Sequence, residues 1–218
     1  MSPDRDRFAL VIFDCDGVLI DSETVALPVL GEMVAELGVR LAEDEVHRRF
    51  GGLSIAQVMA AVAETLGAQP PADFEAELAR RWEAVLGASL VPIEGVTGVL
   101  EGLRLPFCTA SNADAAELRF NLDAAGLRHH FEDRLFAATD VANPKPAPDL
   151  YLLAARTMGF DPSVCAVVED TPTGVAAGSA AGMHVLGYER RHSEQALRAA
   201  GAREVFRHMD ELLALLHA

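Results

Sequence analysis

The chain reads as an α/β protein, a doubly wound parallel sheet carrying an inserted α-helical domain. Short, continuously apolar runs alternate with helix-patterned segments, as expected of parallel strands covered on both faces. One block of about seventy residues after the first run shows helical spacing alone. The apolar runs also end in polar residues, at the edge where open α/β sheets bind ligands.

The first run, Phe8-Ala9-Leu10-Val11-Ile12-Phe13, predicts a strand buried on both faces. Behind it, F-D-C-D-G-V-L-I-D-S sets Asp14 and Asp16 two positions apart, and Gly17 lets the backbone turn sharply. Two acids this close repel each other unless a cation or a shared proton intervenes. The helical block follows. Val25, Val29, Leu30, Met33, Val34 and Leu37 recur at helical spacing before Gly38. Ser54-Ile55-Ala56-Gln57 reads as a capping box opening a helix with Ile55, Val58, Met59, Val62 and Leu66 on one face. A third helix starts near Asp73, carries Phe74, Leu78, Trp82 and Val85, and ends about Gly87. The expected division is residues 1–21 with 92–218 for the α/β core and 22–91 for the helical insert.

From Pro92 the alternation resumes with a short helix through Val96, Val99, Leu100 and Leu103 and a strand over 105–110. That strand delivers Ser111 and Asn112 to the ligand edge ahead of a helix over 113–125, where a hydroxyl and free helix N–H groups would suit an anion. A capping role for either residue is the plainer alternative. Leu135–Ala138 is a weaker strand, and a helix spans 148–158. Val164–Val168 is a buried strand ending in Glu169-Asp170, followed by a helix over 172–181 with proline at its first position. A strand over 183–187 and a helix over 210–217 complete the chain, and Gly174, Gly178 and Gly182 let one helix lie close to the sheet. Lys145 stands among three prolines in N-P-K-P-A-P-D, a rigid way to hold one ammonium in place. Four carboxylates, one ammonium and one hydroxyl at a common edge need a divalent oxygen-seeking cation, and Mg²⁺ fits.

Composition bounds the rest. The chain has 218 residues, half of them apolar, with 18 Lys plus Arg against 33 Asp plus Glu for a net charge of −15. So acidic a surface repels nucleic acid and anionic membranes, while local cations can still hold a small anion. No apolar leader or long apolar span occurs, which predicts a cytoplasmic protein, expected as a monomer or weak dimer. Cys15, Cys108 and Cys165 form no C-x-x-C pair, and the field of the aspartates around Cys15 discourages a thiolate, so packing is their expected role.

D-C-D-G-V-L-I-D-S, Ser111, Lys145 in its K-P-x-P-D setting and Glu169-Asp170 resemble, in order and spacing, the four motifs of the haloacid dehalogenase-like (HAD) phosphohydrolase superfamily. The resemblance covers essentially the whole chain, with the helical insert similar to the cap of the β-phosphoglucomutase-like and phosphatase branch. It implies Mg²⁺-dependent phosphoryl transfer through an aspartyl-phosphate on a small phosphomonoester. By the same resemblance Asp14 is the nucleophile and Asp16 the general acid and base, which also offers its backbone carbonyl to the metal. Ser111, Asn112 and Lys145 would bind the phosphate, and Asp14, Glu169 and Asp170 the metal. Joints of the cap are expected near Ile20–Glu23 and Leu90–Glu94.

Related chemistries are weighed against the residues present. Haloacid dehalogenases proper use no metal and need no second acid, so Asp16 and Glu169-Asp170 argue against that reaction. Phosphonoacetaldehyde hydrolysis needs a cap lysine, and 22–90 contains none. A β-phosphoglucomutase-like activity would need a cap histidine and two loop cations at positions that fall here on Ala26, Gly51 and Ile55. Nearby Arg48 and Arg49 keep the mutase open as an alternative. A receiver-like phosphoaspartate switch is the non-enzymatic alternative, although such modules are shorter and lack the insert. The opening F-D-C-D-G with R-F-G-G-L resembles bacterial sugar-phosphate phosphatases, including those acting on 6-phosphogluconate.

Overall fold

The computed structural model describes residues 7–51, 53 and 55–217. Two compact units emerge, one over Asp21–Leu90 and one built from the chain on either side, up to Ile20 and from Val91 onward.

The second unit is a six-stranded, wholly parallel sheet of order β3-β2-β1-β4-β5-β6, with β1 Leu10–Phe13, β2 Phe107–Ser111, β3 Leu135–Ala137, β4 Cys165–Glu169, β5 His184–Tyr188 and β6 Glu204–Phe206. Helices α5 Val96–Gly102, α6 Ala115–Ala124, α7 Arg128–Phe131, α8 Asp149–Met158, α9 Pro172–Ala180, α10 Glu194–Ala200 and α11 Leu212–His217 connect the strands or close the chain. Every residue of β1 is fully buried, which is why its run is apolar without alternation. Its neighbours are the two strands that end in Ser111 and Glu169, so the central strand brings the two ligand edges together.

Several boundaries differ from expectation. β1 starts at Leu10, and β2 starts after Pro106, whose carbonyl still accepts the Val11 N–H at 3.0 Å. α6 begins at Ala115, because Asp114 takes the cap and accepts the N–H groups of Ala116 and Glu117 at 2.8 and 2.9 Å. Ser111 is therefore the last residue of β2, and the cap of α6 falls to Asp114. α10 and β6 carry no predicted counterpart. β6 is a three-residue edge strand and α10 buries only Leu197, so neither repeats a pattern long enough to read.

The Asp21–Leu90 unit holds α1 Ser22–Glu36, α2 Glu43–Phe50, α3 Ile55–Leu66 and α4 Phe74–Ser89. Leu27, Leu30, Met33 and Val34 of α1 pack with Val46, Phe50, Val58, Val62, Phe74 and Leu78. Leu37 is instead exposed, as is Ile55, so the apolar faces are narrower than the spacing suggests. α2 was not expected as a separate helix. It has two buried apolar residues, and its form follows from acids in the first turn and His47, Arg48 and Arg49 in the last, which complement the helix dipole. The proposed capping box begins at Ser54, outside the described residues.

Candidate active site

Register assembles the site. Phe13 lies opposite Val168, and the Asp14 N–H donates to the Val168 carbonyl at 2.9 Å, so Asp14 leaves β1 where Glu169 ends β4. On the other side Phe13 lies opposite Thr109, which puts Ala110 and Ser111 along the same edge.

Lys145 closes the gap. Its Nζ donates to Asp14 Oδ1 at 2.6 Å, to Glu169 Oε1 at 2.9 Å and to the Ala110 carbonyl at 2.9 Å. All three ammonium hydrogens are thereby committed. It is also the only lysine in the chain, beside 17 arginines. A compact ammonium on a straight stem fits this slot, where a planar guanidinium would not present three donors to three acceptors around one nitrogen. Asn112 is tied to the Lys145 backbone. Its Nδ2 donates to the Lys145 carbonyl and its Oδ1 accepts the Lys145 N–H, each at 3.0 Å, so it clamps the lysine's backbone. Ser111 Oγ lies 3.5 Å from Asp16 Oδ2 and accepts the Ala113 N–H at 3.1 Å.

The acids divide into two groups. Carboxylate oxygens of Asp14, Glu169 and Asp170 lie within 4.8 Å of one another, all buried. The Asp16 carboxylate stands outside this cluster, toward Ser111. Two glycines make room. Gly17, at φ +85°, would place a Cβ 2.1 Å from Asp170 Oδ2, and Gly174 would place one 1.5 Å from Glu169 Oε1. Glu169 is gripped from four directions. Oε1 accepts Lys145 and the Tyr151 hydroxyl, at 2.9 and 3.0 Å, while Oε2 accepts the Thr171 N–H and hydroxyl, both at 3.0 Å.

Burial dominates the electrostatics. It pushes the Asp14 carboxyl up to about 7, with the Glu169 charge adding to the rise and Lys145 opposing it. Burial works against the Lys145 ammonium too, but Asp14 and Glu169 outweigh it and hold the lysine well above its ordinary value. Three buried carboxylates thus crowd one edge, with the Lys145 ammonium against two of them. An all-oxygen donor set of carboxylates suits Mg²⁺. Burial, then Asp16 and Asp14, raise the Cys15 thiol well above its ordinary value, so it stays a packed thiol.

Sequence reasoning did not pick out Tyr151, Thr171 or the cradling role of Gly174. Tyr151 falls on the buried face of α8, six residues after Lys145, where a phenol in an apolar stripe was the available signal. In the helical unit, Arg49 pairs with Glu45 at 2.6 Å and Arg48 lies 3.9 Å from Asp44, both at the surface.

An enclosed nucleophile-sized carboxylate beside an ammonium and a cation cradle suits transfer of a phosphoryl group, and comparison defines the class. A model of the haloacid dehalogenase-like hydrolases matches residues 8–182, and the chain belongs to that family, in its β-phosphoglucomutase-like branch, as a phosphomonoester hydrolase. It is similar to 6-phosphogluconate phosphatase of Escherichia coli (strain K12), 33% identical over 185 residues covering 83% of this chain and 82% of that one. Fructose-1-phosphate phosphatase YqaB of the same organism is 32% identical over 83% of this chain and 96% of its own. Among solved structures, a HAD family hydrolase from Deinococcus radiodurans R1 with bound phosphate and sodium is 34% identical, with TM-score 0.86 over 97% of this chain and 96% of that one. A putative β-phosphoglucomutase from Thermotoga maritima is 28% identical, with TM-score 0.80 over 95% and 97%.

Proposed function

We propose that the protein is a Mg²⁺-dependent phosphatase that hydrolyses a small sugar or sugar-acid phosphate, such as 6-phosphogluconate, through an aspartyl-phosphate on Asp14. The observation that carries this reading is the 2.6 Å contact of the Lys145 ammonium with Asp14 Oδ1, inside the buried cluster of Asp14, Glu169 and Asp170.

A carboxylate is a poor nucleophile toward a phosphate because both are negative. Lys145 screens that approach and, as Asp14 Oδ1 gives up its charge to phosphorus, turns the N–H it gave that oxygen to an equatorial phosphoryl oxygen, assisted by the Ser111 hydroxyl. Mg²⁺ held by Asp14, Asp170 and the Asp16 carbonyl, with Glu169 at hand, would add charge stabilisation of the same oxygens. An Asp14 oxygen forms the bond to phosphorus as the ester P–O bond breaks, and Asp16 gives its proton to the departing alkoxide. Asp16 then takes a proton from water as the water oxygen bonds to phosphorus, releasing phosphate and the free Asp14 carboxylate.

The named activities of the bacterial relatives support sugar phosphates as the substrate class, and the −15 charge disfavours polyanionic partners. Release of inorganic phosphate from a panel including 6-phosphogluconate and fructose 1-phosphate, with Mg²⁺ and with excess chelator, tests the reading. Phosphate release that needs Mg²⁺ and favours one of these supports it, while full activity in chelator refutes it. Adding β-glucose 1-phosphate with a trace of the 1,6-bisphosphate separates phosphatase from mutase, since a mutase forms glucose 6-phosphate without net phosphate release.

A further inference from the structure

A buried phenol must find a partner for its hydroxyl or lose the hydration it gave up. Tyr151 is fully buried and among the largest such side chains of the chain. The hydroxyl donates to Glu169 Oε1 at 3.0 Å, the same oxygen that accepts Lys145 Nζ at 2.9 Å. The ring centroid lies 4.6 Å from that Nζ. Phenylalanine would fill the same space and keep the ring against the ammonium, so the substitution removes only the hydroxyl, its bond to Glu169 and its contact with the Lys145 ammonium.

We propose that Tyr151 is a positioning residue for phosphoryl transfer, turning the Glu169 carboxylate so that the Lys145 ammonium stays aimed at Asp14. Thr171 fixes one oxygen of Glu169 from the start of α9, and Tyr151 fixes the other from α8. With both held, the plane of the carboxylate is set. Lys145 then has one direction in which Asp14, Glu169 and the Ala110 carbonyl are all satisfied. Without the phenol hydroxyl, Oε1 keeps only the flexible lysine, and the ammonium is free to follow the carboxylate away from Asp14.

This inference rests on the phosphatase reading for its kinetic effect, while the lysine itself gives a readout that needs no turnover. Because Lys145 is the only lysine, protein labelled with ¹⁵N-lysine reports a single side-chain ammonium. Tyr151→Phe, Glu169→Gln and the double variant are compared with the parent by that resonance, by inorganic phosphate affinity with Mg²⁺, and by kcat and KM on p-nitrophenyl phosphate. Tyr151→Phe should move the lysine resonance and lower kcat about tenfold, with a smaller change in KM. In the Glu169→Gln background the same substitution should cost no more than about twofold, because the carboxylate it acts through is gone. Effects that multiply, or a lysine resonance left in place, overturn the proposal whatever the kinetics show. A parent that neither turns over esters nor binds phosphate refutes the phosphatase reading instead, and a resonance that still moves in Tyr151→Phe shows that the hold on Lys145 stands apart from it.

Discussion

Asp14 and Asp16 are separated by one residue but face different surroundings, the first against Lys145 and the buried acids, the second toward Ser111. Substituting each should therefore give different failures. Asp14→Asn should abolish the phosphoenzyme and lower kcat by about three orders of magnitude or more, whereas Asp16→Asn should keep the nucleophile and slow both proton transfers about 10²–10⁴-fold. Rapid-quench detection of acid-stable label with kcat on the same samples separates them, and substantial turnover in Asp14→Asn would refute the assignment. Gly174 makes a second test. Alanine in a helix normally gains about 1 kcal/mol over glycine, but here its Cβ would sit 1.5 Å from Glu169 Oε1 and 2.0 Å from the carboxyl carbon. Gly174→Ala should fold yet lose about tenfold or more in kcat as Glu169 is displaced; a variant of full activity and raised melting temperature would show that the carboxylate has room to move.

At the scale of elements, the insert leaves and rejoins the α/β unit through paired joints. Ile20 and Pro92 form an antiparallel bridge, and the Ile93 N–H donates to the Leu19 carbonyl at 2.9 Å. Ends already held together can be linked by a short loop at little entropic cost. Replacing Asp21–Leu90 by a short Gly/Ser linker should leave a cooperatively melting α/β protein that binds Mg²⁺, as circular dichroism and thermal scans would show; an unfolded or aggregating product would mean that the strands need the insert. Elements were legible where a pattern was long. The β1, β2, β4 and β5 runs and the glycine-stopped helices have one answer, whereas α2, with two buried residues, and β6, with three residues in all, do not. The site was legible in its acids because carboxylates are costly at the end of an apolar strand without a task, and in its lysine because three prolines fix the backbone around it. The Tyr151 hydroxyl and the Asn112 clamp depend on tertiary neighbours 18 and 33 residues away, and the Asp114 cap on which of several adjacent polar residues takes it, and local pattern carries neither.

For the molecule as a whole, the raised Asp14 carboxyl couples folding, pH and cation. In the unfolded chain the Asp14 carboxyl titrates near 3.8, and in the metal-free fold burial and Glu169 raise it to about 7. A group that binds its proton more tightly when folded favours the fold below its unfolded value and costs stability as pH climbs toward the folded value. Asp14 therefore penalises the cation-free protein progressively between about pH 4 and 7, by an amount on the order of a few kcal/mol. Lys145, raised in the fold, contributes stability across that whole window and loses it only at alkaline pH, so it does not reverse the trend. Mg²⁺ held at Asp14 would favour the ionised carboxylate and remove the penalty, and below pH 7 it would have to displace a proton to bind. The gain in melting temperature on adding Mg²⁺ in place of chelator should thus be small at pH 5, grow through pH 7 and level off above it. Groups far from the site titrate alike with and without the cation and cancel in the difference, while Asp14→Asn, which cannot ionise, should flatten the curve. Thermal scans from pH 5 to 8 with both proteins decide it, and a Mg²⁺ increment that is the same at every pH would mean that Asp14 is already ionised in the cation-free fold.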